Sequence, residues 1–275
     1  MTNARLSLLI LGSTLLVISS APRTIYAQQT ALNRTTKLRL VLPKPPNDPG
    51  APKGRRKGGS SRGGELATCS GLNALASVKT EEKQLQCQPP NLTALVPVTE
   101  AGDLTPFVWG LTAAARPTLW FVTPTTESTS VEFILQDDQD RYVYRTSLTL
   151  PAQAAEGVIE FTLPASAPAL QVNQRYTWTM LLEATASHPN LFVKGSLYRV
   201  PTNNVEPKQA SDLEQVAMEA EQGLWHDALT RLAQLRRSNP NDLQIQAAWA
   251  DLLGQVGLDA IANAPLLPCC TTDAL

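Results

Sequence analysis

Val131, Phe133 and Leu135 alternate with Glu132 and Gln136, the period-two pattern of a strand with one buried face. Ile159, Phe161 and Leu163 repeat it against Glu160 and Thr162, and Tyr176, Trp178, Met180 and Leu182 against Thr177 and Thr179. Further apolar runs occupy residues 92–98, 118–122, 142–148 and 192–200. Asp137-Asp138-Gln139-Asp140, between two runs, has the composition of a hairpin turn. Residues 91–200 therefore read as a β-domain. Short strands at regular spacing, separated by Pro or Gly, favour an immunoglobulin-like β-sandwich of about seven antiparallel strands over a barrel.

After residue 206 the period changes from two to 3.6. Leu213, Val216, Ala217 and Ala220 fit one helix face, ended near Gly223. Trp225, Ala228, Leu229, Leu232 and Leu235 fit a second, ended by Asn239-Pro240, and Ala247, Ala248, Trp249, Leu252 and Leu253 a third, closed at Gly257. The order Gly223-Leu224-Trp225-His226-Asp227-Ala228, Leu232, then Pro240-Asn241-Asp242 resembles the second half of a tetratricopeptide (TPR) repeat. One and a half units cannot stand alone, because such arrays need about three repeats to bury their faces. The fold class expected is thus α+β, with a TPR-like three-helix tail over 206–265 packed on the sandwich.

The chain before residue 91 has a different character. Residues 1–27 read as a signal peptide: Arg5, an apolar stretch over 6–18, and Ala27 before a polar segment. That stretch is too short to span a bilayer comfortably, and no later one approaches that length. The expectation is an exported protein, periplasmic or extracellular. Residues 28–64 read as a basic, disordered linker, with five prolines between positions 43 and 52 and Gly-Gly-Ser-Ser-Arg-Gly-Gly at its end. Residues 65–90 read as a strap that carries two cysteines.

Charge divides the mature chain. The linker holds nine basic residues against Asp48, whereas the chain from Glu65 onward holds twelve basic and twenty-three acidic. Arg55, Arg56 and Lys57 are the candidate contacts for an anionic surface, with a solvated tail as the plainer reading. Trp109, between Val108 and Gly110, is the candidate exposed aromatic, whereas Trp120 and Trp178 sit in strand patterns and belong to a core.

Cys69, Cys87, Cys269 and Cys270 are even in number, which in an exported chain favours disulfides. Either Cys69 joins Cys87, or the adjacent pair reaches back to the front of the body; neighbouring cysteines rarely bridge each other. No CxxC spacing or nearby histidine supports a metal, so neither metal nor other cofactor is expected.

Catalytic motifs are missing as well. The chain has no GxSxG elbow, HExxH, Walker-type loop or GxGxxG between strand and helix. Its two histidines, His188 in a loop and His226 at a helix start, read as surface or partly satisfied groups. Three aspartates in one turn lack the glycine of an EF-hand loop, since Arg141 stands there.

Taken in order, Leu92 to Pro97, Pro117 to Val122, Glu132 to Asp137 with Tyr144, Gly157 to Pro164, Tyr176 to Trp178, Val193 to Gly195 with Arg199-Val200, Gly223 to Leu229, Trp249 with Leu252-Leu253 and Cys269-Cys270 resemble domain-of-unknown-function family 928, exported cyanobacterial proteins. The resemblance runs from about Arg62 to Cys270. It implies an exported bacterial protein, so the glycosylation triplets at Asn33 and Asn91 are incidental, and it brings no assigned activity. The functional expectation is a non-enzymatic binding or scaffold module of the cell envelope. Its expected partners are an envelope protein or an anionic polysaccharide, and not nucleic acid. The alternative is an enzyme acting on envelope polysaccharide through paired carboxylates, which should face each other with one pKa raised.

Overall fold

Alternation along residues 129–136 and 174–182 builds the centre of the molecule. The computed structural model describes residues 38–42, 54–58, 92–100, 106–124, 128–150, 157–186, 189–202 and 210–267. Nine strands lie among them: β1 (Thr93–Ala94), β2 (Val98–Glu100), β3 (Pro106–Thr112), β4 (Thr118–Val122), β5 (Thr129–Gln136), β6 (Tyr142–Leu150), β7 (Val158–Thr162), β8 (Gln174–Leu182) and β9 (Leu191–Arg199). They form a three-stranded sheet, β1-β4-β7, and a six-stranded sheet, β2-β3-β9-β8-β5-β6. Val131, Phe133 and Leu135 of β5 stand opposite Leu182, Met180 and Trp178 of β8. That face shares one core with Leu119 and Phe121 of β4 and Ile159 and Phe161 of β7. Phe133 stacks on Phe161 at 4.0 Å, and Phe121 meets Trp178 edge-on at 5.7 Å. Each such side chain contributes about 1.5–3 kcal/mol by burial.

Two features differ from the expected seven antiparallel strands: the described residues hold nine, and β3 runs parallel to β9, with Trp109 opposite Ser196. Residues 92–98 make two strands in different sheets. The chain leaves β1 after Ala94 and joins the large sheet at Val98, and Pro97 between them has no N–H to continue a ladder. β3 carries Phe107, Val108 and Trp109 in a row, so no alternation marks it. The Asp137–Asp140 turn is as expected: Asp137 Oδ1 accepts from the Gln139 and Arg141 backbone N–H groups, and Asp140 takes a left-handed φ of 59°.

Three helices follow: α1 (Asp212–Glu221), α2 (Trp225–Ser238) and α3 (Leu243–Gly254), then a 3-10 turn at Asp259–Ile261. Ser211 and Glu214 form a reciprocal capping box on α1, and the Asp242 carboxylate caps α3. Gly223 ends α1 with a φ of 75°. Val216, Leu229, Leu232, Trp249 and Leu253 are buried together, with Leu213 packed at their edge, against Leu95, Trp120 and Val158 of the small sheet's outer side. β4 is therefore covered on both faces: Leu119 and Phe121 point into the two-sheet core, Trp120 and Val122 towards the helices. Trp120 Nε1 donates to Thr230 Oγ1 at 3.1 Å, and Trp225 Nε1 to the Leu95 carbonyl at 2.8 Å, so indoles from both sides tie helices to sheet. Arg237 lies over the Trp120 ring and pairs with Glu160 at 2.6 Å.

The described parts of the supposed linker are docked, not free. Leu38 is 2% exposed within the helical core. The Gln255 side chain brackets it, its Nε2 donating to the Leu38 carbonyl and its Oε1 accepting from the Leu40 N–H. Residues 54–58 clasp both sheets, with Arg55 bridged to Lys194 of β9 and Lys57 to Thr93 of β1. Composition hides this, because one leucine and a few backbone groups suffice to anchor an otherwise polar stretch. Residues 1–27, expected to be a signal peptide, the expected strap over 65–90 and all four cysteines lie outside the described residues.

Candidate functional site

A face of α2 sets the site. Asp227, Thr230, Arg231 and Gln234 recur at i, i+3, i+4 and i+7, so they share one side of the helix. Opposite them runs the β3–β4 connection with Thr112, Ala114, Arg116, Pro117 and Thr118, and α1 contributes Glu219. Between these walls lies a cleft of ≈ 200 Å³, below the roughly 300–1,000 Å³ of drug-sized sites. No tryptophan, tyrosine or phenylalanine lines it, so the usual sugar-stacking ring is missing there.

The two carboxylates in the cleft are both engaged. Asp227 Oδ2 accepts from the Ala113 N–H at 3.1 Å, and the carboxylate also accepts from the Thr112 hydroxyl, fixing the β3–β4 connection to the first turn of α2. Burial pushes the Asp227 carboxyl up, these hydrogen bonds pull it down, and nearby Glu219 adds a smaller upward push; the net shift is upward. Glu219 is held by Arg231, whose Nη2 stands 2.7 Å from Oε1 and whose Nε reaches both oxygens. This pair is the bidentate kind that fixes geometry as well as charge.

His226 completes the wall and is the residue that sequence reasoning misplaced. It is 1% exposed, and neither ring nitrogen has a hydrogen-bond partner. Burial lowers its pKa to about 4, so the imidazole is neutral near pH 7. Its ring lies on Gly110 of β3: a Cβ there would come within 2.9 Å of Nε2. Only glycine permits that approach of helix to sheet. A sequence signal did exist, since His226, Leu229 and Ala233 lie at i, i+3 and i+7 and share the buried side of α2.

Arg116 sits at the mouth. Its Nε donates to the Pro164 carbonyl and its Nη2 to the Ala165 and Ala167 carbonyls, at 3.2–3.3 Å. All three partners are neutral, so the charge of this immobilised guanidinium is uncompensated.

The sequence-derived candidates do not gather here. Trp109 is 7% exposed, and its Nε1 donates to Thr99 Oγ1 at 3.1 Å; it is a core residue, not an exposed contact. Its neighbours Val108 and Gly110 are buried as well, because β3 is covered by β2, β9 and the start of α2. Arg55 lies over the Phe192 ring, and the Arg56 guanidinium donates to the Val256 carbonyl at 2.7 Å. Partial burial lowers the Arg56 pKa, so it serves the clasp; Lys57 alone of the three is exposed. Cys69, Cys87, Cys269, Cys270 and His188 lie outside the described residues. Among the described residues no three metal-ligating side chains converge.

No curated protein and no solved structure matches the chain. One family model does, over residues 57–266, a span that runs from the clasp through both walls of the cleft to the turn after α3. The chain belongs to the family described as Domain of Unknown Function (DUF928).

Proposed function

We propose that this is a non-enzymatic binding module of the bacterial cell envelope, exported by its N-terminal leader, with the cleft beside α2 as its ligand site. The observation that carries the reading is the state of the cleft carboxylates. Asp227 is spent on the Ala113 N–H and Thr112 hydroxyl and Glu219 on Arg231, so neither is free to move a proton. The groups that keep an open donor, Arg116 at Nη1 and Gln234 at its amide, recognise and do not react. In this reading the two sheets form an immunoglobulin-like sandwich and α1–α3 a TPR-like buttress. Disulfides through Cys69 suit the oxidising compartment. The partner is an anionic envelope polysaccharide. The test is retention of the mature chain on immobilised acidic polysaccharide, with reducing ends counted in the eluate. Salt-sensitive retention with no new reducing ends is expected; no retention overturns the reading.

A second reading keeps one specific observation. Asp227 has its carboxyl raised and a second carboxylate nearby, the pattern expected of an acid–base pair. Were the protein a polysaccharide hydrolase, reducing ends would accumulate and Asp227→Asn would stop them.

A further inference from the structure

Resting on the binding reading, we infer that the cleft is an oxyanion site, built to take a single carboxylate or phosphate group with Arg116 as its principal donor. Four features of the cleft point the same way. First, Arg116 is held in place by the carbonyls of Pro164, Ala165 and Ala167, and its Nη1 has no partner. A guanidinium fixed by neutral acceptors keeps its charge, and the two N–H groups of Nη1 remain for an incoming anion. It also loses little rotamer freedom on binding, because the side chain is ordered beforehand.

Second, the other uncommitted groups can all donate. Gln234 is exposed at the mouth with its amide free of any partner. Thr230 Oγ1 accepts from Trp120 Nε1, which leaves its own proton to offer. Third, His226 borders the same cleft fully buried, with both ring nitrogens unpartnered. Its Nε2 lies against Gly110, and a neutral imidazole there closes the cleft without adding a negative group. Fourth, the first turn of the fourteen-residue α2 lies at the cleft, and Leu224 supplies no side-chain cap, so the positive end of the helix dipole faces this region.

The cleft's own acids do not cancel this. Glu219 is neutralised by the bidentate Arg231, and Asp227, in the first turn of α2, is turned onto Ala113 and Thr112. The excess donor capacity therefore belongs to Arg116, Gln234 and Thr230. The cleft's size limits the ligand to one small unit, such as the terminal acidic sugar of a chain or one phosphate group.

The experiment titrates the mature chain, labelled with nitrogen-15, with glucuronate, with inorganic phosphate and with glucose as the uncharged control. Saturable shifts of the Arg116, Thr230 and Gln234 signals are expected with at least one anion and not with glucose. Saturation by glucuronate alone assigns the carboxylate of an acidic sugar; saturation by phosphate alone assigns a phosphorylated source. Gln234→Glu touches no structural bond and should weaken the anion about tenfold by repulsion. Arg116→Gln should weaken it further, with a thermal melt showing that the fold survives. If neither anion saturates, or if Gln234→Glu titrates as the parent does, the oxyanion assignment is wrong. Saturation by glucose at the same signals would also overturn it, yet leave the binding reading standing. Loss of polymer retention would overturn the binding reading itself.

Discussion

The two faces of β4 are buried by different means. On the inner face Leu119 and Phe121 meet Phe133, Ile159, Phe161 and Trp178, and cohesion there comes from apolar area and ring packing alone. On the outer face Trp120 and Val122 meet a helical layer that is also tied by polar bonds: Trp120 to Thr230, Trp225 to the Leu95 carbonyl, Asp227 to Ala113 and Arg237 to Glu160. An apolar interface is held by shape and offers a ligand nothing to recognise. A junction held partly by polar bonds fixes charged and hydroxyl groups in place, and a cleft opened along it inherits them. The candidate site therefore lies on the outer junction.

The largest test of this contrast removes one side of it. Ending the chain after Thr202 strips the cover from Leu95, Trp120 and Val158. The remaining sheets should lose solubility or unfold at a much lower temperature, measured by circular dichroism and size-exclusion chromatography; an unchanged melting temperature would mean that the helices are a separate module. Next in size is the arm. Leu38→Ala removes a buried leucine from the helical core and should cost about 2–5 kcal/mol in urea denaturation. A cost near zero would show that residues 38–42 do not hold the layer together.

The third prediction concerns pH. The folded chain takes up a proton on His226 only near pH 4, whereas the unfolded chain does so near 6.5. Unfolding therefore binds a proton in that window, and stability falls as pH drops from 6.5 towards 4, by about 3 kcal/mol at most. Asp227 works the other way: its raised pKa costs stability while it is ionised, and that cost is relieved as pH falls through the folded pKa. His226→Leu should flatten the stability profile between pH 6.5 and 4 and cost little at pH 7, since it removes two unpartnered nitrogens. A variant with the parent's slope would assign the acid sensitivity elsewhere. The smallest effect is at the rim. Arg237→Ala breaks a half-exposed ion pair and a ring contact and should cost about 1 kcal/mol or less. A loss of several kcal/mol would mean that the outer junction depends on its rim charges.

These contrasts also explain what the sequence could reveal. β5, β7 and β8 were legible because each has one buried and one wetter face, which writes a period of two. The helices were legible from their period and their stops at Gly223, Asn239-Pro240 and Gly257. β3 was hidden because its consecutive apolar residues write no period. The docking of residues 38–42 and 54–58 was hidden because it rests on backbone bonds and one leucine, not on composition. The cleft was hidden for a related reason. Arg116 is ordered by carbonyls about fifty residues away, and His226 by a glycine on β3, so no local motif records either. The spacing of Asp227, Thr230, Arg231 and Gln234 was in the sequence, but it reads as an ordinary polar face until the β3–β4 connection is laid against it.

A cleft with one wall from the sheets and one from the helices is a preformed site only if both layers fold as one. Native-state hydrogen exchange at neutral pH tests this most directly, by comparing the amides of α2 with those paired between β5 and β8. The account predicts that Leu229 and Leu232 exchange through the same global opening as Phe133 and Met180, with matching free energies and matching dependence on denaturant. Exchange of the α2 amides orders of magnitude faster, while the β5–β8 amides stay protected, would contradict it.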